Sequence, residues 1–299
     1  MKTVLIFGAG YSGKAFARAL PPGTAVAGTT RSPEKFAALR EAGIAPLPFD
    51  GTPTPEIRDA LRHATHVVVS IAPDERGDPA LDAVAAGLAD GLPELRWIGY
   101  LSTVGVYGDH GGGWVDEASA CRPVSQRSRR RLEAERQWLD LGRRAGVPVA
   151  VLRLSGIYGP GRNAFVNLRD GTARRLIKPG QVFNRIHRDD IAGALRHLAE
   201  RDLGGTFNVT DDMPAPPQDV VAYAASLMNV EPPPEIPFET AQLSPMARSF
   251  YDENKRVSNA AIKLAGYAFR FPDYRAAFDA MRAAGDWADG AARSPMKRS

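Results

Sequence analysis

The stretch that most restricts this chain is residues 3–13, TVLIFGAGYSG. TVLIF is a continuous apolar run containing β-branched residues, as a strand buried on both faces requires. Glycines follow at Gly8, Gly10 and Gly13, and then KAFARAL at helical spacing. Pro21 and Pro22 stop that helix, and TAVAGTTR reads as a second strand. Strand, glycine turn, helix and strand in this order form the βαβ unit of a dinucleotide fold. Each glycine has its own task. Gly8 makes the tight turn, Gly10 lets the backbone approach a pyrophosphate, and Gly13 lets the helix pack on the strand. Gly8, Gly10, Tyr11, Ser12 and Gly13 are therefore expected to hold the phosphates, with the N–H groups and dipole of the helix start behind them.

The end of the second strand separates the two nicotinamide dinucleotides. An NAD site calls for an acidic residue about 20 positions beyond the glycines, to hold the ribose 2′-hydroxyl. This chain has GTTRS there and no acid. Arg31 is placed to reach a 2′-phosphate, with Thr29, Thr30 and Ser32 as hydrogen-bonding neighbours, so NADP is expected over NAD. Asp50 ends a third strand, where an acid either bonds the adenine amino group or caps the next turn. Ser70, Ile71 and Ala72 end a fourth strand, at the carboxyl edge where open α/β sheets bind ligands.

Strands and helices go on alternating. Strands are expected at 44–49, 66–72, 95–102 and 147–155, and helices at 55–62, 79–90 and 125–145. That pattern implies an α/β, Rossmann-type doubly wound parallel sheet with helices on both faces. A dinucleotide-binding domain is expected over residues 1–162. A smaller, discontinuous substrate region should follow over 163–286, with about 187–210 returning to the main sheet through GTFNVT. A disordered tail is expected from 287. GDHGGGWVDE reads as a glycine-rich, mobile-looking loop, and EPPPEIPF as a rigid connector.

Composition removes several classes. The chain has 299 residues, 44% of them hydrophobic, which is enough for a large core. The single cysteine, Cys121, excludes an intramolecular disulfide and a Cys-rich zinc site, and no metal site is expected. No apolar stretch approaches the roughly 18 residues of a membrane span. The basic, apolar start is broken at once by glycines, so it reads as a strand and not a signal peptide. Net charge is only +4, without aromatic and basic residues interleaved, so no nucleic-acid surface is expected. The default is a cytoplasmic protein with a small-molecule substrate.

The chain resembles the extended short-chain dehydrogenase/reductase superfamily, the group of nucleoside-diphosphate-sugar epimerases and dehydratases. The resemblance rests on GAGYSG, LSTVGVYGD, LRLSGIYGPGR and RIHRDDIAGAL, and runs from residue 3 to about 285. It implies that Ser102 lines the cofactor and that Thr103, four residues before Tyr107, matches the family's catalytic Ser/Thr. It also implies a nucleotide-linked substrate and a homodimer packed through the long helices.

The family's YxxxK pair falls on PVSQRSRRRLEAE, residues 123–135. The Tyr position holds Ser125 and the Lys position Arg129. A phenol can be brought towards neutrality by a neighbouring ammonium. A serine hydroxyl is far less acidic, and Arg129 is always protonated. Arg129 is expected to hold a ribose hydroxyl or phosphate. Arg130 and Arg131 are expected on a solvated helix face, with Glu133 and Glu135 as partners. Tyr107, Tyr158 and His187 are the remaining acid candidates, against packing roles for both tyrosines and a helix-fixing role for His187. Asp116 and Glu117 sit on the glycine loop, and Asp189 suits a helix cap. Arg162, Arg185 and Arg188 face either solvent or an anionic substrate. The expected protein is an atypical, NADP(H)-binding reductase or epimerase without the usual Tyr/Lys chemistry. The alternative is a redox-silent NADP(H)-binding sensor.

Overall fold

The computed structural model describes residues 2–288. In chain order the elements are β1 (Thr3–Phe7), α1 (Tyr11–Ala19), β2 (Ala25–Thr30), α2 (Phe36–Arg40), β3 (Ala45–Pro48), α3 (Pro55–Arg62), β4 (His66–Val69), α4 (Pro79–Asp90) and β5 (Trp97–Thr103). Then come β6 (Trp114–Val115), α5 (Gln126–Ala145), β7 (Val149–Leu154), β8 (Gly156–Tyr158), α6 (Ala164–Arg169), β9 (Arg175–Ile177), β10 (Arg185–His187) and α7 (Arg188–Glu200). The last are β11 (Gly205–Val209), α8 (Pro217–Met228), β12 (Glu235–Pro237), α9 (Pro245–Ser249), β13 (Arg256–Val257), α10 (Ala260–Leu264) and α11 (Tyr274–Ala284).

Seven strands form one parallel sheet in the order β11-β7-β5-β4-β1-β2-β3. The order reverses between β1 and β4, which is the switch point where such sheets take a ligand. This is the Rossmann-type doubly wound sheet that the alternation implied. Period-two burial explains how both faces are filled. Val4 and Ile6 point into one core with Phe16 of α1 and Leu195 of α7, while Leu5 and Phe7 point into the other with Ile57 of α3, Val84 of α4 and Trp138 of α5. β11 pairs in parallel with β7, Gly205 opposite Ala150 through Val209 opposite Leu154, so the chain returns to the sheet after it has left.

The smaller lobe has its own core, in which Tyr158, Phe165, Val220, Tyr274 and Phe278 are buried together. Trp287 packs on Phe165 with ring centroids 5.8 Å apart, and the remainder of the expected tail, 289–299, lies outside the described residues. Three two-stranded parallel ladders were not visible in the sequence: β8 with β10, β9 with β12, and β6 with β13. Their strands are two or three residues long, too short for a period to show. EPPPEIPF therefore carries a strand, β12, and GGGWV carries β6.

The GDHGGGW loop is not free, which corrects its reading as mobile. The C-terminal segment pins it. His110 N and Gly112 N both donate to Asn254 O, at 3.0 and 2.9 Å. Asn254 N donates to Asp109 Oδ1 at 2.8 Å, and the buried Lys255 Nζ donates to Gly108 O at 2.8 Å.

Candidate functional site: a glycine turn at the sheet switch point

The turn after β1 is built by three glycines for three separate reasons. Gly8 sits at φ +84°, and a Cβ there would lie 2.6 Å from Ile71 Cγ2. Gly13 has Ile6 Cγ2 at 3.2 Å from the Cβ position, so a larger residue would push α1 off β1. At Gly10 the nearest atom to that position is Gly8 O, at 3.9 Å. No neighbouring atom demands a glycine at 10, and a Cβ there would point into open space. Gly10 is also the N-cap of α1, without a side-chain cap and without an acidic residue in the first turn. The N–H groups at this helix start are therefore available to an anion. Ser12 is buried at the helix start.

Thr29 was expected to face a 2′-phosphate. Its buried hydroxyl instead accepts from Gly8 N at 2.9 Å, while its carbonyl accepts from Ala9 N at 2.9 Å. It shapes the glycine turn from β2. Arg31 is exposed just past β2, and Ser32 N donates to Thr30 Oγ1 at 3.2 Å. Asp50 is exposed and accepts from Thr52 N at 3.0 Å, so it closes its own turn. It lines a cleft of about 280 Å³ with Gly51, Thr52, Asp74, Arg76 and Asp82. Ser70 and Ile71 are half-buried and Ala72 is exposed, at the end of β4 beside Gly8.

Tyr11, the first residue of α1, ties the turn to the smaller lobe. Its hydroxyl donates to Pro160 O at 2.9 Å, and the Arg188 guanidinium lies 5.0 Å from its ring centre. Gly159 passes so close that a Cβ would sit 2.7 Å from the Tyr11 hydroxyl and 3.2 Å from His187 Nε2.

Where the resemblance puts the family's Tyr/Lys pair, the helix start is structural. Ser125 is the N-cap of α5: its Oγ accepts from Ser128 N at 3.1 Å and donates to Ser128 Oγ at 3.0 Å. Arg129 is exposed on the first turn. Thr103 caps the short turn after β5, accepting from Gly105 N at 3.1 Å. Ser128 reaches the same place, 2.9 Å from the Cβ position of Gly105.

Arg131 is buried, which corrects the expectation of a solvated face. Its Nη1 donates to Leu101 O at 2.6 Å, and to Ile71 O and the Tyr100 hydroxyl at 3.3 Å each. Arg130 keeps its surface role, with Glu75 Oε1 at 3.1 Å.

A second buried set lies under β5 and β7. Glu135 accepts from Ser102 Oγ, and its Oε2 accepts from Arg153 Nη2 at 2.8 Å. Ser102 is thus turned into the protein and not towards the sheet edge. Arg153 Nη1 donates to the Tyr107 hydroxyl at 3.0 Å, and that hydroxyl donates to Asn208 Oδ1 at 2.7 Å. Burial pushes the Tyr107 phenol up to about 12 against the pull of Arg153. It stays neutral near pH 7. Glu117 Oε1 accepts from Asn208 N at 2.7 Å, and Asp116 holds Ser119. Asp116 and Glu117 are engaged in structure, as is Asp109 of the same loop. One signal in the sequence could have found this set: Arg153 is the only charged residue within VPVAVLRLS, and a charge inside a buried strand calls for a buried partner.

His187 is the N-cap of α7, and its Nδ1 accepts from Asp189 N at 3.2 Å. The capping expected of Asp189 falls to His187. The proton of the neutral ring is thereby assigned to Nε2. Burial pushes His187 down to about 4, with the nearby Asp189 carboxylate opposing. Tyr158 and Phe271 pack on its ring at 5.3 and 4.4 Å. Burial also raises the Tyr158 phenol. Arg185 donates to Phe183 O and Ala215 O at 2.9 and 3.0 Å, so it braces the backbone. Arg162 is exposed.

Comparison with known proteins fits this geometry. The model of the NAD dependent epimerase/dehydratase family matches residues 4–210. Protein YeeZ of Escherichia coli K12 is 30% identical over 261 residues, 78% of this chain and 86% of YeeZ. A functionally unknown conserved protein from Silicibacter pomeroyi DSS has a solved structure with 46% identity and a TM-score of 0.86, over 96% of this chain and 100% of the other. The human epimerase family protein SDR39U1, solved with NADPH, is 18% identical with a TM-score of 0.72, over 94% and 99%. Among the described residues no helix is long and apolar enough to cross a membrane.

Proposed function

The chain belongs to the NAD-dependent epimerase/dehydratase family, and from that premise we propose that it binds NADP(H) at the β1–α1 turn and acts as an atypical reductase or epimerase on a small or nucleotide-linked substrate. The observation that carries this reading is Gly10: an exposed glycine with open space above it, at an uncapped helix N-terminus beside the sheet's switch point. The residues present fit a dinucleotide. Gly8, Gly10, Tyr11, Ser12 and Gly13 would border its pyrophosphate, Ile71 and Ala72 its path along the sheet edge, and Asp50 its adenine end. Bound there, the nicotinamide would supply hydride transfer.

Preference for NADP rests on Arg31, exposed after β2, and on the absence of any carboxylate in GTTRS. In a fluorescence titration NADPH should bind more tightly than NADH, and Arg31→Glu should abolish or reverse the preference. Equal affinities in the wild type would overturn it.

A redox-silent sensor is the second reading, and one observation favours it. Ser125 serves as a helix cap, Arg129 cannot relay a proton, and Tyr107 stays neutral, so no group with a pKa near 7 stands in the place of the usual pair. Steady oxidation of NADPH with any of a panel of carbonyl compounds would decide for the enzyme. Tight binding without turnover across the panel would decide for the sensor.

A further inference from the structure

Arg131 is an unusual residue to find inside this protein. It is 7% exposed, and among the described residues no carboxylate is in ion-pair contact with it, although Asp78 attracts it from further off. The two acids nearest in the core are already taken: Glu135 by Arg153 and Ser102, and Asp78 by Trp138 Nε1 and Ala80 N. A buried guanidinium with no counter-ion in contact is costly, and an apolar side chain of similar length would be cheaper. What Arg131 does instead is donate to two main-chain carbonyls, Leu101 O on β5 and Ile71 O just past β4. The Tyr100 ring, 5.6 Å from its guanidinium carbon, covers one face.

Ile71 is the residue that packs on the glycine turn. Its Cγ2 lies 2.6 Å from where a Cβ of Gly8 would stand. Contacts therefore run from α5 through Arg131 to Ile71 and on to Gly8, whose N–H is held from the other side by Thr29. We infer that Arg131 is a positioning residue for the dinucleotide: it fixes the end of β4 against Gly8 and so sets the height of the glycine turn under the pyrophosphate. The inference rests on the nucleotide reading above and adds to it a group that touches no part of the ligand. A site of this kind needs its supporting residues held to within about 0.5 Å, and a guanidinium bridging two strand ends supplies such support.

The test uses Arg131→Met and Arg131→Lys in the full chain, with two probes. NADPH spans the whole site. Adenosine 2′-monophosphate occupies only the Arg31 end and never reaches the glycine turn. The methionine variant should melt close to the wild type, because an apolar chain of like length replaces a buried charge that has no counter-ion in contact. Its NADPH affinity should fall about tenfold or more, while its affinity for adenosine 2′-monophosphate stays unchanged. The lysine variant, which retains a cation but has a single ammonium for the two carbonyls, should lie between. Unchanged NADPH affinity in Arg131→Met overturns the inference and leaves the nucleotide reading standing. Equal loss for both probes also overturns it, because the role is then general stability. Failure of the wild type to bind NADPH overturns the nucleotide reading itself. If the methionine variant does not fold, the lysine variant decides alone, and wild-type NADPH affinity in it counts against the inference.

Discussion

At Gly10 the chain spends a glycine where its own packing asks for none, since the space a side chain would fill is bordered only by Gly8 O at 3.9 Å. Gly10→Val should therefore leave the melting temperature of the free protein almost unchanged and remove NADPH binding, as read by fluorescence titration together with thermal melts. Normal binding by that variant would reduce the turn to a structural feature. The same change at Gly8 would be uninformative, because strain at φ +84° and the clash with Ile71 would unfold the turn first. These glycine roles were legible from spacing alone. Arg131 was not. In a run reading RSRRRLEAE, charge suggests exposure, and only the packing of α5 on the sheet turns position 131 inward and leaves 129 outside. Ser102 and Thr29 were misjudged for a related reason. A short hydroxyl side chain at a strand end can face the ligand or the core, and its sequence position is the same either way.

Among the elements, α5 opens on the segment where the resemblance puts the family's Tyr/Lys pair. The helix runs for 20 residues from a Ser125 cap to Gly146, which ends it at φ +68°. Its buried stripe carries Ser128, Arg131, Glu135 and Trp138, a polar face on an otherwise apolar seam. Both ends of α5 could be read from residue types, because caps are local. Ser125→Ala should cost about 1 kcal/mol of stability, the ordinary value of an N-cap, and leave turnover of any substrate within a small factor. A loss of about 10² in turnover, the scale of a missing general acid or base, would show that the serine is chemically active. β8, β9, β10 and β12 were not legible, because two or three residues of strand carry no periodic signal and owe their conformation to the partner they meet.

Two buried groups of opposite effect contribute to the pH dependence of the whole molecule. His187 has its pKa pushed down to about 4, so it stays neutral in the fold while an unfolded chain takes up a proton below 6.5. Its contribution is complete above 6.5 and is lost as pH falls towards 4. Asp211, 1% exposed, is pushed up to about 8 by burial, which outweighs the attraction of Arg185. The fold keeps that proton where an unfolded chain has released it above 3.8, so stability is lost as pH rises from 3.8 through 8. Between 4 and 6.5 the two slopes oppose each other, and of the two only the Asp211 slope remains above 6.5. The protein should lose about 2 kcal/mol from pH 6.5 to 8, at roughly 1.4 kcal/mol per pH unit for one proton. Asp211→Asn keeps the acceptor for Met213 N, which lies 3.1 Å from Oδ1, and should flatten that decline in melts at the two pH values. A decline of the same size in the variant would assign it to other groups. His187 stood out in the sequence as an acid candidate, although not as one that burial holds neutral; Asp211 did not, since burial of a single Asp in TFNVTDDM depends on how the two lobes fold together.

The return of β11 to the edge of the sheet has a consequence for the order in which the protein can be assembled. β7 and β11 are hydrogen-bonded neighbours, yet the chain between them makes α6, β8, β9, β10 and α7 first. Closing that loop costs entropy before the pairing returns anything, and pairings of long range form slowly. On the ribosome, six strands of the sheet can come together while the outer side of β7 still presents unpaired backbone groups. The half that carries the glycine turn is thus never finished before the smaller lobe has begun. A gene fragment ending at 162 would not encode an independent module, because the strand that seals its edge is written more than forty residues further on.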